Sequence, residues 1–394
     1  MLKLRLSGNV VDLHNHVHLK AYMYDRDLNK RKFISNIWGS ALGFWPFSHR
    51  NTLYGIKKSL DVALCTTFVV EKDWYKEVPL INWTTKLSPS FRKRIMEPSY
   101  FNATTAMMDF LEQQIETDIE LKLTCNPRQL KRNAKQGLCS IIHSVEGAHS
   151  LQSDNLTHGK CLEVLADRGI AYLTLAHFFP NDCVGGNVFP WPEKEKKFIK
   201  DYYKKKGNWD ERKGLTELGK EIVHQMLDLG IIIDITHLTL VGRKQVYKIV
   251  EERKKEHAVI ASHVGAFGVH RISYNLQDWE LKWLADRGCC AGVILMNSWI
   301  SPHESEGSGL HYIEQTIDHM INVAGSDVVA LGTDFDGFTD PPDEITKIED
   351  LEYLPNHLVH VGYESSVVDK FMGDNAMRVL LNGWRGCEEN EQGS

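Results

Sequence analysis

The chain has 394 residues, 42% of them apolar, which is enough for one large buried sheet wrapped by helices or for two ordinary domains. Its 46 basic and 52 acidic residues leave a formal charge of −6, which speaks against a nucleic-acid or acidic-membrane partner and leaves a small-molecule substrate as the expectation. No stretch approaches the roughly 18–20 unbroken apolar residues of a membrane span, and MLKLRLSGNVVDLHNH lacks an apolar core of signal-peptide length, so a cytoplasmic protein is expected.

Taken in chain order, apolar or β-branched runs recur at Val10–His14, Val62–Val70, Leu138–Ser144, Ala171–Leu175, Ile231–Thr236, Val259–Ser262, Ala291–Met296 and Val328–Gly332. Stretches of helical periodicity separate most of them. This alternation predicts a parallel sheet, and eight runs are what a closed (β/α)8 TIM-type barrel needs. The clearest helix is Thr216–Leu229, where Leu218, Ile222, Val223, Met226, Leu227 and Leu229 fall at three- and four-residue spacing and Gly230 ends the run. Two aromatic-rich segments without a clean period, about 19–59 and 74–100, read as insertions after the first two strands; they carry Phe44, Trp45, Trp74 and Trp83. With no internal repeat and no linker, residues 1–394 read as a single barrel domain. The basic run Lys194–Lys206 is interspersed with acids and reads as a solvated face.

The eight cysteines, Cys65, Cys125, Cys139, Cys161, Cys183, Cys289, Cys290 and Cys387, form no CxxC pair and no disulfide-dense spacing, so most are expected to be reduced and buried. Cys289 and Cys290 read as strand packing, and the tail CEENEQGS carries no lipid-anchor signal.

The residues at or just past the strand ends are the informative ones: His14 and His16, Glu146, His177, His237, His263 and Asp334. Such positions line the catalytic mouth of a barrel. Imidazoles and carboxylates ending apolar strands in six different units would each need a buried partner, and a shared one satisfies them all. That shared partner is read as two divalent metal ions, zinc by the nature of the donors, with Glu146 able to bridge them. Alternation along His14-Asn15-His16 puts both imidazoles on one face. His18 is expected beyond the strand, His143 to point away from the mouth, and His270 to lie on the surface, while His149 is left open as a residue orienting Glu146.

From Glu146 onward the blocks SVEGAHSL, GIAYLTLAH, GLTELGKEIVHQMLDLGIIIDITH, VIASHVGA, ALGTDFDGF and GDNAMRVL occur in the order found in the membrane (renal) dipeptidases, and the chain resembles that family of binuclear zinc peptidases from about Val10 to Leu380. The resemblance implies that His14 holds the first metal, Glu146 bridges, His237 and His263 hold the second, and Asp334 shuttles protons beside them. It further implies that His177 contacts the substrate and polarises its transition state, and that Arg271 receives the substrate's terminal carboxylate. The family reads HxD at the first strand; here His16 stands in the aspartate's place.

The expected activity is therefore hydrolysis of a dipeptide by a metal-bound hydroxide, with Asp334, His177 and Glu146 as the catalytic set. No G-x-S-x-G elbow or cysteine-nucleophile motif competes with it. Two alternatives stay open: a lactonase or phosphotriesterase-like amidohydrolase, which the HxH favours, and a binding or maturation protein that keeps the barrel without peptidase turnover. Self-association as a homodimer is left open too.

Overall fold

The computed structural model describes residues 8–29, 49–73, 88–188, 210–301, 309–337 and 339–388. The strands are β1 (Val11–Asn15), β2 (Val62–Phe68), β3 (Leu121–Leu123), β4 (Cys139–Glu146), β5 (Tyr172–Thr174), β6 (Ile232–Asp234), β7 (Val259–Val264), β8 (Cys290–Val293) and β9 (Val329–Leu331). All the ladders are parallel and follow the order β1-β2-β4-β5-β6-β7-β8-β9, with β3 attached to β4 off this path. The barrel strands correspond to the eight expected runs, and β3 is an addition. It is three residues long, with Leu123 exposed, too short and too wet to announce itself by pattern.

The ends of the sheet meet just beyond β9. Asp334 N donates to His14 O at 2.8 Å and His16 N to Phe335 O at 2.8 Å, so the seam is closed by the very residues that carry the strand-end histidines and aspartate. Asp12 laces the same seam from inside the wall: its carboxylate accepts from Thr333 N at 2.8 Å, Thr333 Oγ1 at 2.7 Å and His14 N at 3.2 Å. Complete burial still pushes the Asp12 pKa up to about 6.

Strand alternation divides the apolar residues into two layers. Val62, Leu64, Ile142, Tyr172, Ile232, Ile260, Cys290 and Ala330 pack together with Val379, Leu380 and Trp384 around the helix Asn375–Gly383 and fill the lower lumen. Ala63, Cys65, Ile141, Val145, Leu173, Ile233, Val259, Ala291 and Val329 pack instead into the helical layer outside. Helices Tyr100–Ile115, Pro127–Gln136, His158–Asp167, Glu217–Leu229, Leu240–Glu252, Asp278–Asp286 and Leu310–Ala324 supply that layer. Glu217–Leu229 starts where expected, with Thr216 accepting from Gly219 N, and stops at Gly230, whose φ of 70° is the left-handed cap glycine tolerates best.

The two insertions are less irregular than the sequence suggests. The described parts of the first include the helices Leu19–Tyr24 and Leu53–Ser59, the latter capped by Thr52 and too short to show a period, and those of the second the short helical segments Pro89–Phe91 and Arg92–Met96. Phe44, Trp45, Trp74, Trp83 and the basic run 194–206 lie outside the described residues. Among the cysteines, Cys125 and Cys387 form a disulfide across a sequence separation of 262, a pairing that local spacing could not reveal; the other six are free and buried. Among the described residues no helix is long and apolar enough to cross a membrane.

One buried ion pair braces the loops above β6 and β7. Arg243 Nε and Nη2 donate to Glu280 at 2.7 and 3.1 Å, and Arg243 Nη1 reaches Leu238 O and Ser273 O in those loops. Removing one partner strands the other's charge in the interior, so Glu280→Ala is expected to lower unfolding free energy by about 3–5 kcal/mol, while a double Arg243→Met, Glu280→Met variant recovers most of it. Urea denaturation measures both; equal loss in the single and double variants would show that the pair itself, not the stranded charge, matters.

Candidate metal centre

Strand ends bring the seven polar residues together. Glu146 is the last residue of β4, and Glu146, His14, His16, His177, His237, His263 and Asp334 are all at most 5% exposed. Alternation alone does not aim them. The β1 ladder shifts register between Asp12 and Asn15, and the β7 ladder between Ala261 and Val264. His14 and His263 sit inside these shifts, and their rings face each other across the lumen at 3.8 Å between centroids. His237 and Asp334 follow β6 and β9 with φ of 65° and 54°, left-handed conformations that are costly for residues with a Cβ and characteristic of functional sites. Gly337 makes room beside them: a Cβ there would lie 2.0 Å from Asp334 Oδ1 and 2.8 Å from His16 Cδ2.

The hydrogen bonds behind the imidazoles fix which nitrogen faces inward. Thr66 O can only accept, so His16 Nδ1 donates to it at 3.0 Å. Tyr172 gives its proton to Leu13 O and therefore accepts from His14 Nδ1 at 2.7 Å. Ser262 gives its proton to Asp234 Oδ2 and accepts from His263 Nδ1 at 2.8 Å. In each neutral ring the lone pair is thus on Nε2, pointing into the cluster.

Those inward nitrogens crowd each other: His14 Nε2 and His16 Nε2 are 3.0 Å apart, and His237 Nε2 and His263 Nε2 3.2 Å. Glu146 stands between the pairs. Its Oε1 lies 3.2 Å from His237, 3.5 Å from His263 and 3.6 Å from His14, and its Oε2 3.3 Å from His16. Asp334 Oδ1 closes the other side, 3.3 Å from His16 Nε2. Glu146 Oε1 is buried without a hydrogen-bond partner. Burial alone would raise the Glu146 pKa, but the facing His14 and His177 hold it well below the usual carboxylate range. Burial likewise opposes charge on His16, yet Asp334 and Glu146 outweigh it and push that imidazole up to about 10. Facing lone pairs around two carboxylates require positive charge between them, and nitrogen and oxygen donors of this kind suit a divalent metal. The groupings His14–His16–Glu146, Glu146–His177–His237 and His14–His263–Asp334 each have one donor atom per residue within 4.8 Å of the others.

The remaining sequence candidates sort themselves around this cluster. Arg271 is exposed in the loop after β7 and makes no ion pair among the described residues. The loop passes close to the cluster, because His270 Nδ1 lies 3.3 Å from Trp299 O and the Trp299 ring lies 6.0 Å from His237. His270 is accordingly a half-buried brace rather than a surface residue. His18 hydrogen-bonds Thr67 Oγ1 outside the cluster, and His143 faces the helical layer, 3.0 Å from Glu112. His149 does not orient Glu146; its Nε2 donates to Val69 O at 2.7 Å. Asp336 is a loop brace, accepting from the backbone of Arg50 and Asn51.

One member is absent from the sequence-based set. Glu71, just past β2 and 3% exposed, accepts from His177 Nδ1 at 2.7 Å and Phe178 N at 3.1 Å. The rule that found the others applies to it as well, since it directly follows the apolar run Val62–Val70. The supporting Asp234, Ser262 and Tyr172 had no such signal, being ordinary-looking residues inside strand runs.

The family model described as membrane dipeptidase (peptidase family M19) matches residues 56–388. A Klebsiella pneumoniae protein described as uncharacterized, in the pqqA 5′ region, is 33% identical over 271 residues, covering 67% of this chain and 90% of its own length. Dipeptidase tcpJ of Claviceps purpurea is 25% identical over 286 residues, 70% of this chain and 59% of its own. Among solved structures, a Rhodobacter sphaeroides metallo peptidase liganded with a phosphinate mimic of the dipeptide L-Ala-D-Ala superposes with a TM-score of 0.70 at 19% identity, covering 95% of this chain and 99% of that one. This likeness establishes the fold.

Glu146 lies within 3.6 Å of imidazoles from both pairs, so Glu146→Gln, which keeps size and removes charge, is expected to reduce bound divalent metal to trace level. Elemental analysis of folded, metal-reconstituted protein checks this; wild-type metal content in the variant would remove Glu146 from the ligand set.

Proposed function

The chain belongs to the membrane dipeptidase family, peptidase family M19, and from that premise we propose that its cluster holds two divalent ions, zinc by the nature of the donors. It is a metal-dependent dipeptidase, and the proposal concerns how its residues perform that activity. The observation that carries the reading is the position of Glu146, whose oxygens lie between the His14–His16 pair and the His237–His263 pair, one of them without a hydrogen-bond partner. On this reading His14 and His16 would hold one ion and His237 and His263 the other, with Glu146 available to both and Asp334 beside the first.

Bound there, the ions would polarise the scissile carbonyl and bring the pKa of a bound water toward about 7. Asp334 takes the proton of the attacking water on its carboxylate and returns it to the leaving nitrogen. His177 turns Nε2 toward the cluster, 3.9 Å from Glu146 Oε2, and donates from it to the carbonyl oxygen as charge develops there. Arg271, exposed beside the mouth, receives the dipeptide's terminal carboxylate in a two-pronged contact. The dipeptide mimic in the Rhodobacter sphaeroides structure supports a substrate of this size.

His16 favours a second reading. A neutral ligand in the place of the family's aspartate leaves one less negative charge around the ions and suits a lactonase or phosphotriesterase-like activity.

Two expected outcomes follow from these assignments. Asp334→Asn lowers dipeptide turnover by about 10²–10⁴-fold, the usual worth of a proton shuttle, while most metal stays bound; parallel loss of both would make it a ligand first. His16→Ala loses one ion per chain and His16→Asp regains it, with dipeptide hydrolysis rising relative to lactone and phosphotriester hydrolysis. Two ions retained in the alanine variant would take His16 out of the site.

A further inference from the structure

Five imidazoles surround Glu146, and their outer nitrogens are treated differently. His14 and His263 donate to hydroxyls, and His16 to a carbonyl; His237 Nδ1 is buried without a partner. His177 alone among them is backed by a carboxylate, Glu71, at 2.7 Å. Burying that carboxylate is costly, and His177 is the largest of the influences that keep it charged. Glu71 ends the sequence Phe68-Val69-Val70 and is 3% exposed. Its Oε1 takes both its hydrogen bonds, from His177 Nδ1 and Phe178 N, while Oε2 has none. The backbone contact locks the carboxylate to the segment that carries His177, so the loop after β2 and the loop after β5 are held in one register.

The His177 ring has little else to hold it. Phe68 and Phe178 flank it with ring centroids at 4.2 and 3.9 Å, both tilted, contacts that limit its position but do not distinguish its two nitrogens. A ring rotated by half a turn would fit the same aromatic slot but would turn Cδ2 toward Glu71 and put Cε1 where Nε2 faces the cluster. The hydrogen bond to Glu71 breaks this degeneracy: an oxygen with only acceptor capacity requires an N–H at Nδ1 and leaves Nε2 as the atom facing Glu146 and His237.

We propose that Glu71 is the positioning residue for His177, holding its Nδ1–H and so orienting the ring with Nε2, which carries its own proton when it donates, aimed at the reacting carbonyl of the substrate. This rests on the substrate role given to His177 above. Glu71 touches neither the substrate nor a donor atom of the cluster; its effect passes through one ring.

The test compares Glu71→Met, which keeps the volume and loses the acceptor, with Glu71→Gln, which restores an acceptor, in the full metal-reconstituted chain. Expected results are a fall in dipeptide kcat of about 10–100-fold for Glu71→Met with metal content unchanged, substantial recovery in Glu71→Gln, and no further loss when Glu71→Met is added to His177→Ala, as for two groups acting through one interaction. Unchanged kcat in Glu71→Met, or full multiplication of the two defects, overturns the proposal. If His177→Ala itself turns over normally, the substrate role of His177 fails first, and the two failures are told apart. A readout independent of turnover and of any variant's folding is the ¹⁵N spectrum of histidine-labelled wild type: His177 is expected to show a protonated, hydrogen-bonded Nδ1. A bare Nδ1 overturns the assignment.

Discussion

The structure is organised around an unfavourable arrangement that only a cation relieves. Four imidazole nitrogens approach in two pairs at 3.0 and 3.2 Å, those of His14, His16 and His263 with their lone pairs turned inward by the hydrogen bonds behind the rings, and two carboxylates share the same dry space. Neutral lone pairs at such distances repel, and the carboxylates add negative charge that burial makes costly. Positive charge in the middle turns every one of these contacts favourable. Much of the surrounding architecture prevents the donors from escaping the conflict by turning away.

That restraint is built from polar side chains within the barrel wall. Asp234 takes the Ser262 proton and so makes Ser262 an acceptor for His263; Tyr172 gives its proton to Leu13 O and so becomes an acceptor for His14. Asp12 ties β1 to Thr333 across the seam where the sheet closes, holding His14 near Asp334. Each carboxylate or phenol sets the direction of a hydrogen bond one atom removed from the cluster, and hence the identity of the inward nitrogen. Moving any of them would change a tautomer before it changed a distance.

The barrel and its ring of donors were largely legible in the sequence because both obey simple periodicities. Apolar runs ending in His, Glu or Asp reported strand, orientation and mouth at once. What stayed hidden depends on breaks in that periodicity or on distant neighbours. His14 and His263 owe their aim to register shifts, and His237 and Asp334 to left-handed backbone, none of which has a residue signature. Glu71 obeys the strand-end pattern, but its partner, His177, lies 106 positions away, and nothing local joins the two. Cys125 and Cys387 are likewise neighbours only in the folded chain. His149 illustrates the converse: its proximity in sequence to Glu146 suggested a contact, whereas a three-residue turn carries its ring to Val69 instead.

The filled lower lumen has a kinetic meaning. Val62, Leu64, Ile142, Tyr172, Ile232 and Ile260 close it against Leu380 and Trp384, so the donor ring cannot be reached through that end of the barrel. Substrate entry and product departure then share the other end. A fragment left beside the metal donors after cleavage has no second exit and departs by the side from which the next molecule must arrive. Release of that fragment and entry of the next molecule therefore compete for one opening.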